Sequence, residues 1–304
     1  MAKHGKLQTS LEYAAARIIL SVVGALPFRQ SIRLGRFFGL IAYLVASELR
    51  RTGEINLKLA FPQKTSEERR QLLKGCFESL GRALGVFSHF ADPPESILSA
   101  LEPSGIEHLD QVKASGRGAI LFTAHLGAWE LTSYGLSLLG HPISFLVRPI
   151  DNPKIEEIVD RYRTRTGNKT LDKFSAARSM VKTLRSGEFL GLLIDLNALE
   201  DEAIFVNFFG VPASTNFMTA KLALRSDVPI IPVFAPWDKT RQKFLLQVNE
   251  PVEFERSGDE EADVRELTTR LTQHFEDQIR RYPDQWLWIH KRWKTRPHGE
   301  PGIY

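Results

Sequence analysis

Gly116-Arg-Gly-Ala-Ile-Leu-Phe-Thr-Ala-His125-Leu-Gly-Ala-Trp-Glu130 is the stretch that decides the fold. Ala119–Thr123 is a short apolar run bounded by glycine, the pattern of a strand buried on both faces. A helical pattern, Glu130–Leu139, follows directly. The segment between them therefore crosses the carboxyl end of a strand, where open α/β sheets bind their ligands. The glycines of Gly116-Arg-Gly118 precede the strand, whereas a dinucleotide fingerprint follows one. His125 thus stands where catalytic groups usually stand, and Glu130 opens the next helix.

The same texture repeats outward. Ile143–Val147, Phe189–Ile194 and Pro229–Phe234 read as further buried strands, and Phe244–Val248 as a fifth, antiparallel one. Helical patterns separate them: Ile155–Thr166, Ala176–Ser186 and Phe217–Ser226, with a long last helix over 260–282. Alternating strands and helices predict an α/β fold with a mixed central sheet flanked by helices. Before it, residues 66–90 form a helix with Ser66 as N-cap and an acidic first turn, ended by Pro93-Pro94. Phe205–Asn216 reads as an apolar loop whose polar end caps the helix after it.

The N-terminal region is helical and apolar. Ile18–Phe28 carries no charge, and Phe37–Ala46 is a second apolar run, with Arg29, Arg33 and Arg36 between them. Neither reaches the roughly 20 apolar residues of a spanning helix. Two short apolar helices with arginines between them fit a hairpin lying in one leaflet, or a soluble hairpin packed on the main domain. The division is residues 1–50 as an apolar helical hairpin or membrane anchor and 51–304 as the α/β domain.

Composition sets the outer limits. The chain has 304 residues, 43% hydrophobic and 25% charged, with a net charge of +4, 21 Gly, 16 Pro and one Cys. Disordered, collagen-like and disulfide-built chains are excluded. Cys76 sits among Leu72, Leu73 and Phe77 in a helical pattern and reads as core. Arg280, Arg281, Lys291, Arg292, Lys294 and Arg296 form a basic cluster that suits an anionic partner. No nucleic-acid-binding signature accompanies it.

The chemistry narrows by elimination. There is no Gly-x-Ser-x-Gly nucleophile elbow and no metal-ligand spacing around His125. A His with a carboxylate folded back on it is a general base, and without a protein nucleophile it suits direct transfer: a substrate hydroxyl attacks an acyl thioester. The same pair also serves as a buried structural contact. Gly127 leaves room for substrate. Arg148, after the Ile143–Val147 strand, is the candidate for stabilising the oxyanion, or a surface or phosphate-binding arginine. Asp195 ends a buried strand as His125 nearly does, and serves the site, an N-cap or a salt bridge. Asp284-Gln-Trp-Leu-Trp-Ile-His-Lys-Arg-Trp-Lys294 mixes Trp with cations, as at a membrane interface or lipid headgroup site, or forms a strap packed on the sheet.

Taken together the chain resembles the bacterial lipid A late acyltransferases, the lauroyl and myristoyl transferases of the lysophospholipid acyltransferase superfamily. The resemblance runs through Asn56-Leu-Lys-Leu-Ala-Phe-Pro62 with Ser66-Glu-Glu-Arg69, His125-Leu-Gly-Ala-Trp-Glu130, Arg148-Pro-Ile-Asp-Asn-Pro153, Phe208-Phe-Gly-Val-Pro-Ala-Ser-Thr215, Val228-Pro-Ile-Ile-Pro232 and Asp284–Lys294. It implies a glycerolipid-acyltransferase-like sheet and a His125/Glu130 dyad with Arg148 beside the reacting centre. The implied substrate-binding set is Gly127, Trp129, Asp195, Phe209, Gly210, Thr215, Trp286 and Arg292. It further implies an acyl-carrier-protein or coenzyme A thioester as donor and a glycolipid hydroxyl as acceptor, with a lipid A precursor first. The implied place is an anionic membrane, the cytoplasmic face of the bacterial inner membrane, held peripherally or by a single pass. No metal, resident cofactor or nucleic acid is implied. Ala128 stands where the family usually has Asn, and Asp195-Leu-Asn197 where it has Asp-Gln. A lysophospholipid or phosphatidylinositol mannoside acceptor, or a catalytically silent lipid-binding relative, are the alternatives.

Overall fold

Hydrophobic periodicity and glycine punctuation build the chain in order, as seen in a computed structural model that describes residues 5–147, 150–171, 176–199 and 203–304. Helices α1 (Lys6–Gly24) and α2 (Phe28–Val45) form a hairpin, followed by α3 (Ser47–Ala60) and α4 (Ser66–Phe87). The α4 N-cap is Thr65 rather than Ser66: its hydroxyl accepts from the Glu68 amide while Glu68 reaches back to the Thr65 amide at 2.7 Å. That reciprocal box satisfies two amides at once, which Ser66 could not do. Short α5 (Pro94–Leu98), β1 (Leu101–Ser104) and α6 (Ile106–Ala114) lead into β2 (Ala119–Thr123). Then come α7 (Trp129–Leu138), β3 (Ile143–Leu146), α8 (Pro153–Thr164), β4 (Lys169–Leu171), α9 (Ala176–Arg185) and β5 (Phe189–Leu193). The rest is β6 (Ala203–Phe208), β7 (Val211–Asn216), α10 (Met218–Ser226), β8 (Ile230–Phe234), β9 (Trp237–Asp238), β10 (Lys243–Val248) and α11 (Glu260–Arg281).

The main sheet runs β1-β10-β8-β2-β5-β3-β4, with β9 on β10. Strands β8, β2, β5, β3 and β4 pair in parallel, and β10 runs antiparallel to β8. The mixed α/β sheet is therefore as expected. The segment expected to be an apolar loop, Phe205–Asn216, belongs instead to an antiparallel hairpin of β6 and β7. Its turn is Phe209-Gly210, both in the left-handed region (φ 54° and 77°), as a two-residue hairpin turn needs.

Alternation along β2 sends its side chains to two cores. Ile120 and Phe122 face a cluster with Leu184 of α9, Ala220 and Ala223 of α10, and Leu267, Leu271 and Phe275 of α11. Ala119 and Leu121 face the other side, with Leu131 and Leu136 of α7. Tyr162 of α8 packs on that second side as well. Cys76 is buried as core, with its thiol pushed up to about 12 by burial.

The N-terminal helices pack by backbone proximity. A Cβ on Gly39 of α2 would overlap the Phe77 carbonyl of α4, and one on Gly81 would overlap that of Gly35. The loop joining α1 to α2 is tied down by Ser31, whose hydroxyl donates to the Val23 carbonyl at 2.6 Å and lies 2.7 Å from His89 Nε2. Helix α1 leans on α8: Asn152 Nδ2 donates to the Thr9 carbonyl (2.8 Å) and to Glu12 (3.1 Å). No helix among the described residues is long and apolar enough to cross a membrane.

Candidate active site

Strand register builds the site. Thr123 of β2 is the parallel partner of Leu193 of β5. His125 lies two residues beyond one and Asp195 two beyond the other, so both arrive side by side at the same sheet edge. His125 Nδ1 donates to Asp195 Oδ1 at 2.9 Å, and the His125 amide donates to Asp195 Oδ2 at 2.9 Å. Trp286 Nε1 donates to the same Oδ2 at 2.7 Å. Asp195 is buried, which by itself would raise its pKa; the His125 ring and amide and the Trp286 indole outweigh that and hold it below the ordinary carboxylate value. With Nδ1–H committed to Asp195, His125 keeps the Nε2 lone pair for a reactant. The side chain is 21% exposed, enough to be reached.

The carboxylate on His125 is thus Asp195 rather than Glu130. Glu130, at the second position of α7, turns to α8, where Arg163 grips it with two hydrogen bonds of 2.9 and 2.5 Å. A fork of this kind holds a carboxylate in plane and on station. Sequence reasoning missed Arg163: α8 carries several cations and nothing local distinguishes this one. Glu130, Arg163 and Trp129 border an apolar cavity over the sheet, lined by Leu121, Leu136, Phe145 and Val233. The Trp129 ring lies 5.2 Å from that of His125. Trp129 thus links the imidazole to the apolar recess.

The backbone after His125 is fully engaged. Amides of Leu126, Gly127 and Ala128 donate to Ala124, Gln285 and Ala235 carbonyls. Gly127, with φ +63°, has its Cα side pressed against the Ala235 carbonyl, so its requirement is a close backbone crossing. None of these three amides is left for an oxyanion. Arg148 lies outside the described residues.

The C-terminal segment is a strap. Leu126 bridges Trp286 antiparallel, and the Leu287 amide donates to the His125 carbonyl at 3.0 Å. Trp286, Trp288 and Trp293 are all 0% exposed, so the reading of these tryptophans at a membrane interface is corrected: they are core. The basic cluster divides: Arg280, Arg281, Lys291 and Lys294 are exposed, while Arg292 and Arg296 are taken up by the fold. Arg292 is buried, donating to the Ser214 carbonyl and Thr215 Oγ1, each at 2.6 Å. Desolvation brings its pKa down to about 10. Arg280 lies over the Phe209 ring and Arg296 donates to the Pro212 carbonyl. Of the expected binding set, Asp195, Trp129 and Trp286 meet at His125. Thr215 and Arg292 form an internal tie behind the strap, while Phe209 is core (its amide donates to Glu276) and Gly210 is an exposed turn. Among the described residues no group of His, Cys, Asp and Glu could hold a metal ion.

A strand-end imidazole on a buried carboxylate, beside an apolar recess and with no serine elbow, defines a transferase-type general-base site. Comparison with known proteins gives it a family. The family model for bacterial lipid A biosynthesis acyltransferases matches residues 3–295. The lipid A biosynthesis lauroyltransferase of Escherichia coli K12 is 30% identical over 290 residues, 94% of this chain and 92% of that protein. The palmitoleoyltransferase of the same organism is 28% identical, covering 92% and 90%, and its myristoyltransferase 24%, covering 90% and 83%. The chain belongs to the bacterial lipid A biosynthesis acyltransferase family, and it is an acyltransferase.

Proposed function

We propose that this protein moves a fatty acyl chain from a thioester to a hydroxyl of a lipid A precursor, with His125 as general base. The observation that carries this is His125 Nδ1 bound to the buried Asp195, which leaves Nε2 as the base. Nε2 takes the proton of the acceptor hydroxyl as its oxygen attacks the thioester carbonyl carbon. The tetrahedral oxyanion collapses, the C–S bond breaks, and the thiolate takes the proton from the imidazolium. An ester and a free thiol result. Asp195 holds the imidazole in one tautomer and offsets its transient charge. Glu130 and Arg163 act as a unit at the recess. Arg148, which the family resemblance puts beside the reacting centre, keeps the role of oxyanion donor read from its place after the Ile143–Val147 run, a role supported by the engagement of the three backbone amides after His125.

We place the hairpin of α1 and α2 in a membrane interface. Support comes from its outward apolar face: Leu11, Ile18 and Val22 on α1 and Phe37, Ile41 and Leu44 on α2, between 41% and 71% exposed. Large apolar side chains gathered along one exposed face mark an interaction surface, and on a helical hairpin they fit a membrane interface.

Purified protein in detergent, given labelled acyl-carrier-protein and acyl-coenzyme A thioesters with lipid A precursor, lysophospholipids and phosphoinositide mannosides, tests the reaction. Label should reach the lipid A precursor, and His125→Ala should lose about 10²–10⁴-fold of the rate with its fold intact. Unchanged turnover in that variant overturns the base assignment, and label on another lipid overturns the acceptor. Flotation with anionic vesicles tests the hairpin: Ile18→Asp with Phe37→Asp should leave the vesicle fraction, and undiminished flotation would refute the placement.

A further inference from the structure

Asn56, at the head of the Asn56–Pro62 block, and His290, within the strap, lie far apart in the chain, and the structure joins them. Asn56 is buried, and its side-chain amide donates to the Trp288 and His290 carbonyls, each at 2.7 Å. Its Oδ1 accepts from the Tyr304 hydroxyl, which accepts in turn from the Trp293 amide at 3.1 Å. An asparagine whose two protons and oxygen all go to one segment fixes the backbone of that segment.

The strap is also tied to the reacting pair on either side of His290. Before it, the Leu287 amide donates to the His125 carbonyl, and the His290 amide donates to the Leu287 carbonyl at 3.1 Å. Beyond it, Thr295 and Asn197 exchange two hydrogen bonds of 3.0 Å. Asn197 closely follows Asp195 in the chain. Two independent tethers therefore hold His290 near the base and its carboxylate, and the charges of Asp195 and His125 both bear on its ring.

The ring has a polar atom with nothing to do. His290 is half-buried, and its Nδ1 is shut off from solvent with no hydrogen-bond partner among the described residues. Nε2 has no partner among them either, but it is not enclosed. Desolvation is the main reason that the pKa of His290 lies below the ordinary imidazole value. Asp195 pulls the other way, and the charges of His125, Arg292 and Lys294 add to the lowering. A neutral imidazole carries one N–H. On Nδ1 that proton would be buried and unmet, whereas on Nε2 it faces outward, so the site selects Nε2–H. An enclosed, unpaired nitrogen costs stability and calls for a reason.

The intermediate of acyl transfer supplies one. The three amides after His125 are engaged elsewhere, so its oxyanion must be met by side chains. A preorganised, neutral imidazole N–H is one kind of donor that such sites use. We propose that His290 is a catalytic hydrogen-bond donor whose Nε2–H meets the thioester carbonyl oxygen as it becomes the oxyanion. It gives up no proton: His125 carries out the proton transfer, and Nε2–H stays on His290 throughout. The proposal rests on the acyl-transfer reading given above and adds to it a second imidazole, of opposite tautomer to His125.

The test compares two substitutions in the full chain in detergent, with lauroyl thioesters of coenzyme A and of acyl carrier protein as donors and lipid A precursor as acceptor. His290→Leu removes the donor and the enclosed Nδ1 together. It should lose about 10²–10³-fold of kcat, with KM within about twofold of the parent's. Its melting midpoint should equal or exceed the parent's, because carbon replaces an unmet buried nitrogen. His290→Gln, which keeps an N–H near the place of Nε2, should recover about tenfold or more of the lost kcat. Imidazole nitrogen resonances at neutral pH read the tautomers without turnover, and should show Nε2–H for His290 against Nδ1–H for His125. Unchanged kcat in His290→Leu overturns the proposal and leaves the acyl-transfer reading standing. So does a raised KM at unchanged kcat, which marks a ground-state contact, or an Nδ1–H tautomer on His290. A fall in kcat matched by a fall in melting midpoint in both variants makes the residue structural and overturns it as well. A parent that transfers from neither donor overturns the acyl-transfer reading, and the oxyanion role with it.

Discussion

Asp195 is the residue on which the site turns. It receives the His125 ring, the His125 amide and the Trp286 indole while fully shut off from water. Asp195→Asn keeps the volume but turns an acceptor-only group into one that also donates, so the imidazole loses its reason to carry the proton on Nδ1. Turnover should fall on the order of 10²-fold or more with little change in KM. Trp286→Phe removes one charge-assisted bond, costing roughly 1.5–3 kcal/mol of stability, and should lower kcat less than Asp195→Asn does. Steady-state kinetics with denaturant melts on both variants checks the order, and a Trp286→Phe protein slower than Asp195→Asn would reverse it. The sequence placed His125 and Asp195 each at a strand end, yet named Glu130 as the partner because it is near in the chain. The pairing became visible only with the register Thr123–Leu193, a long-range property of strand order. Arg163 was illegible for the same reason: its meaning lies in the helix it faces.

Elements were read well where periodicity was strong. The strands over 119–123, 143–146, 189–193 and 230–234 and the five helices between and after them fall within a few residues of their patterns. The misses have local causes. The β6–β7 hairpin turns on Phe209 in the left-handed region, which no residue-type rule assigns to phenylalanine. Strands β1, β4 and β9 are short edge or near-edge pieces whose form comes from a neighbour. The contact of α2 with α4 was not foreseen either, though its glycines were in view. It yields a prediction at this scale: Gly39→Ala or Gly81→Ala must push two helix backbones apart, costing about 1–3 kcal/mol. Thermal melts should show a lower midpoint for either variant, with exposed Gly302→Ala as a neutral control; an unchanged midpoint would mean the helices are free to separate.

Across the whole molecule, three histidines set an acid limit. Burial holds His141, His274 and His290 below the ordinary imidazole value, against partial pull-back from nearby carboxylates. Unfolded, each takes up a proton near pH 6.5. Because their folded values are depressed, the unfolded chain binds more protons on acidification, and the stability they confer is present above about pH 6.5 and lost as pH falls through the folded values. Asp195 adds the same sign further down, below about pH 3.9. The melting midpoint should therefore drop between pH 7 and pH 5, and drop less in His274→Gln. A midpoint flat over that window would contradict the assignment of buried neutral imidazoles.

The strap carries a consequence for how the protein comes into being. The base, its carboxylate and the recess all belong to residues made early, but the indole that completes Asp195 and the amide that pins His125 belong to Trp286 and Leu287, which leave the ribosome later. An emerging chain has its first two helices long before it has the strap. The order of synthesis thus makes the α1–α2 hairpin precede the site, and Asp195 lacks its indole donor until the closing segment is in place.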